Sequence, residues 1–328
     1  MRKLRLFLVA IMLFLGILAG CSGEEGANDA SGTDQNDATT EQTEQDVEAE
    51  AFPVTLEDGT GEEITIEEEP ERIVSLMPSN TEIAFALGLE EKIVGVSDHD
   101  NYPEEALDKE KIGGMELNIE KIISLEPDLV LAHPTNDPDG IEQLEDADIP
   151  VFNINDATNF DEVYESIDML GEVTGTIEQS EEIVAEMKED LADLEKKADD
   201  IPEDDVKTVY VEISPEPEIF TPGKNTFEDE ILSIINAENA AGDEDGWVEL
   251  SEEAVVEMNP DVIVLTYDDV DDPVEAVLER DAWQDIDAIK NEQVVQVDTD
   301  LVSRPGPRLV EGAEALAEVI YPEVFGES

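Results

Sequence analysis

The sequence predicts an α/β protein of two lobes, each with a central, mostly parallel sheet, joined by one long rigid helix. Three observations carry this. Short apolar runs alternate with helical patterns over residues 73–154 and again over 206–320, the order in which strand–helix–strand units build a parallel sheet covered on both faces. A segment recurs: NIEKIISLEPDLVLAH at 118–133 aligns without gaps to SEEAVVEMNPDVIVLT at 251–266, as two similar lobes would require. Between the copies, Ile177–Asp200 places Ile183, Val184, Met187, Leu191 and Leu194 at helical spacing, with no Gly or Pro between Thr176 and Ile201. About 24 helical residues would span about 36 Å, a strut that permits only modest rocking of the lobes.

Taken in order, the chain begins with Arg2, Lys3 and Arg5 before an apolar run from Leu6 to Leu18. That run is short for a spanning helix, which needs about 20 apolar residues, and reads as a secretory signal over residues 1–20. It ends Leu18-Ala19-Gly20-Cys21, which resembles the lipobox of bacterial lipoproteins and implies a lipid on Cys21, the chain's one cysteine. Residues 21–51 carry Val47 as their sole large aliphatic and are expected to be an acidic, flexible tether.

The N-terminal lobe is expected over 52–175. Val54-Thr55-Leu56 and Ile64-Thr65-Ile66, separated by Gly59 and Gly61, predict a hairpin. Ile73–Leu76 predicts a strand, then a helix capped by Ser79 or Asn80 that stops at Gly88. Ile93–Val96, Leu129–Leu131 and Val151–Ile154 predict further strands, with helices at Ile119–Leu125 and Ile141–Leu144 between them. The linking helix is assigned to 176–202 and the second lobe to 203–328. There, strands are expected at Val206–Ile213, Val262–Leu265 and Val294–Val297, with helices at Phe227–Ile235, Glu252–Met258 and Val310–Ile320.

Composition excludes some functions. The chain holds 88 Asp+Glu against 17 Lys+Arg, a net charge of -71. Nucleic acid is therefore not an expected partner, since binding it needs a basic face to release phosphate counterions. The acids are spread along the whole chain, which favours adaptation to a salty exterior over a local cation-binding patch. At about 1 M salt the Debye length is only about 3 Å, and self-repulsion is screened. At 40% hydrophobic residues the chain has enough for a packed core.

Enzyme signatures are scarce: no G-x-S-x-G, no P-loop, no G-x-G-x-x-G and no H-E-x-x-H. Neither catalysis nor a resident cofactor is expected. The two histidines, His99 and His133, each follow a predicted strand, at the edge where ligands sit in open α/β sheets. They lack an evident third ligand for a protein-held metal. Trp247 follows a Gly- and Asp-rich loop, and Arg304 and Arg308 follow the late strand. These five side chains are expected to rim one inter-lobe cleft.

Arg72–Leu76, Ser79-Asn80-Thr81-Glu82, Leu87-Gly88, Tyr102-Pro103, Ile119-Glu120-Lys121-Ile122, Glu126–Val130, Phe220–Lys224, Trp247 and Ser303–Arg308 together resemble periplasmic-binding-protein domains of the iron-siderophore and cobalamin class. The resemblance covers about residues 52–323 and is closest to the cobalamin-binding branch. It implies the helical-backbone receptor type, in which two lobes deliver a metal chelate to an ABC permease and its ATPase. In bacteria with one membrane such proteins are lipid-anchored on the outer face of the cell membrane, which fits Cys21. It further implies that one glutamate per lobe, here Glu120 and Glu253, docks on permease arginines. The implied ligand is cobalamin or a related corrinoid, held without chemistry by His99, His133, Trp247, Arg304 and Arg308. Trp247 is kept, whereas His99 and His133 stand where aromatics are found and Gly114 replaces another. A ferric siderophore or haem is the alternative cargo. A secreted hydrolase and a surface lipoprotein without ligand are the alternatives from other classes.

Overall fold

The computed structural model describes residues 52–326; the expected signal, Cys21 and the tether lie outside the described residues. A hairpin of β1 (Val54–Glu57) and β2 (Glu63–Ile66) comes first. The first lobe then runs β3 (Ile73–Ser75), α1 (Pro78–Ala86), β4 (Ile93–Val96), β5 (Glu110–Lys111), α2 (Ile119–Ser124), β6 (Leu129–Ala132), α3 (Pro138–Glu145), β7 (Val151–Asn153) and α4 (Phe160–Thr174). Its sheet is wholly parallel, in the order β5-β4-β3-β6-β7. Every residue of β3 and β6 is buried, as expected of central strands covered on both faces.

The linking helix α5 (Ile177–Ala198) follows. It has 22 residues, about 33 Å at 1.5 Å per residue. Val184, Met187, Leu191 and Leu194 are buried as their spacing predicts. They join a core that extends from α4 and α1 into two helices of the second lobe, Phe227–Ile234 and Leu309–Ile320. Gly175 stops α4 in the left-handed region, at φ 75°, so the chain reverses at once into α5. Gly171 lets the two helices touch there, because a Cβ on it would lie 2.5 Å from Ser180 Oγ.

The second lobe comprises β8 (Thr208–Glu212), β9 (Phe220–Pro222), α6 (Phe227–Ile234), β10 (Glu238–Asn239), β11 (Trp247–Glu249), α7 (Glu252–Met258), β12 (Val262–Leu265), α8 (Pro273–Leu278), α9 (Asp287–Lys290), β13 (Val294–Gln296), α10 (Thr299–Ser303) and α11 (Leu309–Ile320). Four strands form a parallel sheet in the order β10-β8-β12-β13, and β9 and β11 form a separate antiparallel ribbon.

The sequence repeat is a structural repeat. Each copy is a short helix, α2 or α7, leading into a central strand, β6 or β12. Glu126 and the aligned Asn259 both take left-handed backbone, at φ 50° and 46°, just before the shared Pro. The shared Asp does one job twice. Asp128 accepts from the Glu71 and Arg72 N–H groups at 2.9 Å, and Asp261 from the Thr208 N–H at 2.9 Å. Each carboxylate satisfies N–H donors where a neighbouring strand begins.

Contrary to the sequence expectation, neither Ser79 nor Asn80 caps α1. The helix starts at Pro78, whose fixed φ suits a first helical position, and both residues lie buried inside it. Asn80 Nδ2 instead donates to the Ala132 carbonyl at 3.0 Å, and Thr81 Oγ1 to Ser75 Oγ at 2.8 Å, tying α1 to β6 and β3.

The first hairpin is held to the lobe by Asp58. Its carboxylate accepts from the Thr60 N–H and hydroxyl, the Glu62 N–H, and both the backbone N–H and the side-chain amide of Asn153. Gly59 allows the approach, because a Cβ would lie 2.8 Å from Asn155 Oδ1. Burial pushes Asp58 up, but the hydrogen bonds from Thr60, Asn153 and Glu62 outweigh it and hold the carboxyl below its ordinary range. With a depressed folded pKa, its stabilisation is present above the unfolded value, about 3.9, and is lost as pH falls through the folded one. The Tm difference between wild type and Asp58→Asn should be constant above about pH 5 and shrink below about pH 4. A difference that grows on acidification contradicts this.

Candidate functional site: a cleft between the two sheets

The strand ends of both lobes meet at one cleft of about 460 Å³. Ser79 follows β3, His133 follows β6 and Asp156 follows β7. From the second lobe, Ile213 follows β8, Thr266 follows β12 and Thr299 follows β13, each lining the same space. Parallel strands leave their C-terminal ends to loops and helix starts, so this edge gathers side chains from segments far apart in sequence. His133 and Thr266 occupy matching positions of the repeat, and both line the cleft, one from each lobe.

His133 is held firmly. Its backbone N–H donates to Asn136 Oδ1 at 2.8 Å. The Thr135 N–H donates to its Nδ1 at 3.3 Å, which leaves the ring proton on Nε2, 3.5 Å from Asp156 Oδ1. Burial lowers its pKa, against the opposing pull of Asp156, so the ring is neutral at pH 7. Across the cleft Trp247 opens the β9–β11 ribbon, opposite Pro222. Its indole packs edge-on against Phe227, centroids 5.9 Å apart, and remains 42% exposed, so much of its surface is free for a partner.

The remaining three expected residues stand elsewhere. Arg304 and Arg308 converge on Glu82, whose side chain is 2% exposed. Arg308 makes a bidentate pair with it, Nε to Oε2 at 2.8 Å and Nη2 to Oε1 at 2.7 Å, while Arg304 Nη1 reaches Oε1 at 2.8 Å. Arg304 also pairs with Asn101 and Asp300, and Arg308 lies 3.8 Å from the Tyr102 ring centroid. These contacts join the lobes beside the cleft; a buried glutamate needs such partners, and they occupy both guanidinium groups. His99 is exposed, with Nε2 against Gly114, and does not line the cleft. The expectation that all five side chains rim one cleft therefore holds in position for His133 and Trp247 alone.

Sequence reasoning passed over Glu228, one acid among 88. It is the second residue of α6 and lines the cleft beside Trp247, yet is 4% exposed. Only its nearness to Phe220–Lys224 could have drawn attention to it.

Glu120 and Glu253 are both exposed, each the second residue of its short helix, α2 or α7. Asn118 and Ser251 cap these helices, accepting from Lys121 N–H and Ala254 N–H. Neither glutamate lines the cleft.

A family model described as periplasmic binding protein matches residues 73–301. The chain belongs to the periplasmic binding protein family. Within it, the chain is 48% identical over 321 residues to a Bacillus subtilis (strain 168) protein described as an uncharacterized ABC transporter substrate-binding lipoprotein, covering 97% of each chain. It is 32% identical over 282 residues to a cobalamin-binding protein of Halobacterium salinarum, covering 83% of this chain and 75% of that one. It also matches the crystal structure of a possible iron-binding, periplasmic solute-binding protein from Staphylococcus epidermidis, with TM-score 0.70 and 36% identity, over 77% of this chain and all of that one. The two-lobed fold with parallel sheets is the family's, and its strand-end cleft is the natural place for a solute.

Proposed function

We propose that this chain is the extracellular substrate-binding subunit of an ABC importer and captures cobalamin or a related corrinoid in the inter-lobe cleft. Its lipid anchor would be Cys21, and its docking contacts with the permease Glu120 and Glu253. The likeness to a substrate-binding lipoprotein of an ABC transporter and to a cobalamin-binding protein supports the reading. The observation that carries it is the composition of the cleft. A half-exposed indole offers a flat apolar face, and among the described residues no Lys or Arg lines the space. A large uncharged macrocycle rimmed by amides suits such a site, whereas a polyanionic chelate would enter with no cation to meet it. The metal ion would be part of the cargo, and no bond is made or broken.

Ferric siderophore or haem is the second reading, supported by the possible iron-binding protein of Staphylococcus epidermidis. A thermal-shift series separates the two. Cyanocobalamin at a hundredfold excess over Kd should stabilise the protein by about 2.7 kcal/mol, and Trp247→Ala should remove most of that shift. A rise in Tm with haem or a ferric hydroxamate, and none with cyanocobalamin, would move the protein to iron uptake.

A further inference from the structure

We propose that Glu228 contacts the ligand directly, pairing its carboxyl with a carboxamide on an uncharged chelate, and so sets the cleft's preference for amide over carboxylate substituents. The proposal rests on the reading of the inter-lobe cleft as the binding site.

Glu228 is placed by the start of α6. Thr226 caps that helix, its hydroxyl donating to the Gly223 carbonyl at 2.8 Å and accepting from the Asp229 N–H at 3.3 Å. The next two residues are thereby turned toward the cleft, and both line it. Phe227 is covered by Trp247. Glu228 is also buried, yet its Oε2 has no hydrogen-bond partner among the described residues. A buried polar atom without a partner is costly and uncommon. Other acids nearby are committed: Asp229 accepts from Asn239 Nδ2 at 2.8 Å, and Glu230 from the Phe160 N–H at 2.8 Å. Glu228 has the cleft.

Its protonation decides what it can bind. Burial pushes the carboxyl up to about 7, past the opposing pull of its own backbone N–H. The titratable groups facing it across the cleft are His133 and Asp156. Neither is a fixed cation that would hold Glu228 ionised. In its neutral form the carboxyl both donates and accepts. A carboxamide matches it at two points, its carbonyl taking the acid proton and its N–H2 donating to the acid carbonyl. A ligand carboxylate would bring a second anion beside Asp156, with no Lys or Arg among the described residues lining the space.

Calorimetric titration of wild type, Glu228→Gln and Glu228→Ala with cyanocobalamin, at pH 6 and pH 9, tests this. Glutamine has the same shape, keeps a donor and does not titrate. Wild-type affinity should fall on the order of tenfold or more from pH 6 to pH 9, as the acid loses its proton. Glu228→Gln should stay near the pH 6 wild-type affinity at both, apart from whatever His133 and Asp156 impose on all three proteins. Glu228→Ala should be weaker at pH 6 by about tenfold. Wild-type affinity in Glu228→Ala, or a wild-type pH profile in Glu228→Gln, overturns the proposal. If cyanocobalamin gives no heat, the same titrations with an uncharged ferric hydroxamate separate the two ideas: the corrinoid reading has failed, and Glu228 stands or falls on the same pattern. Binding of neither probe overturns both.

Discussion

Exchange of both Glu120 and Glu253 for Arg should abolish corrinoid uptake by cells while leaving ligand affinity unchanged. Both side chains are exposed, and neither lines the cleft. They hold the same place in the two copies of the repeat, at the start of helices that lead into the two central strands. A pair of like charges so placed suits a permease that presents basic groups around its own two-fold axis. Electrostatic complementarity of this kind sets encounter rate and register, and juxtaposed like charges across an interface cost several kcal/mol. The reversal should therefore act at the membrane and not at the ligand. An Arg in the first turn of a helix opposes the macrodipole by only about 0.3–1 kcal/mol, so the double variant should fold. Uptake assays alongside calorimetry check this. Normal uptake by the double variant, or loss of ligand binding, contradicts the docking assignment.

Arg280→Ala should cost about 3–5 kcal/mol of stability. Glu212 closes β8 and is fully buried. Arg280 grips it with a fork, Nη1 to Oε2 at 2.6 Å and Nη2 to Oε1 at 2.7 Å, and Tyr267 Oη donates to Oε1 at 2.7 Å. The guanidinium also lies 4.2 Å from the ring centroid of the fully buried Trp283. Truncating the arginine strands a carboxylate in the second lobe's core with one hydroxyl for company. At about 2–4 °C per kcal/mol for a body of this size, Tm should fall by roughly 6–20 °C. Removing the orphaned charge should recover part of the loss, so Arg280→Ala/Glu212→Gln should be more stable than Arg280→Ala. Thermal unfolding of the three proteins decides it. A loss under about 1 kcal/mol would show the pair to be weakly coupled.

The architecture was legible because its signals are periodic and local. The apolar runs of β3, β6 and β12 and the spacing along α5 state burial directly. The repeat then disclosed a structural rule, the left-handed residue before Pro and the strand-capping Asp. The β9–β11 ribbon was not legible, since two strands of three residues carry no period to read. Nor was the start of α1, where polar residues that look like caps bond to neighbouring strands instead. Within the site, His133 and Trp247 could be placed from strand ends and loop position. The arginines could not be resolved from sequence, because Glu82 is drawn to them across the lobe boundary by folding alone. Glu228 was hidden for a related reason. In so acidic a chain, the carboxyl that matters differs from the rest by its burial, which composition does not encode.

Calorimetric titration of residues 22–328 with cyanocobalamin, at about 1 M salt to screen the chain's own charge, tests the central claim most directly. Saturable one-to-one binding is expected, with Trp247→Ala weaker by at least about tenfold, the loss of a central aromatic anchor. No heat with cyanocobalamin, together with saturable binding of haem or a ferric hydroxamate, would contradict it.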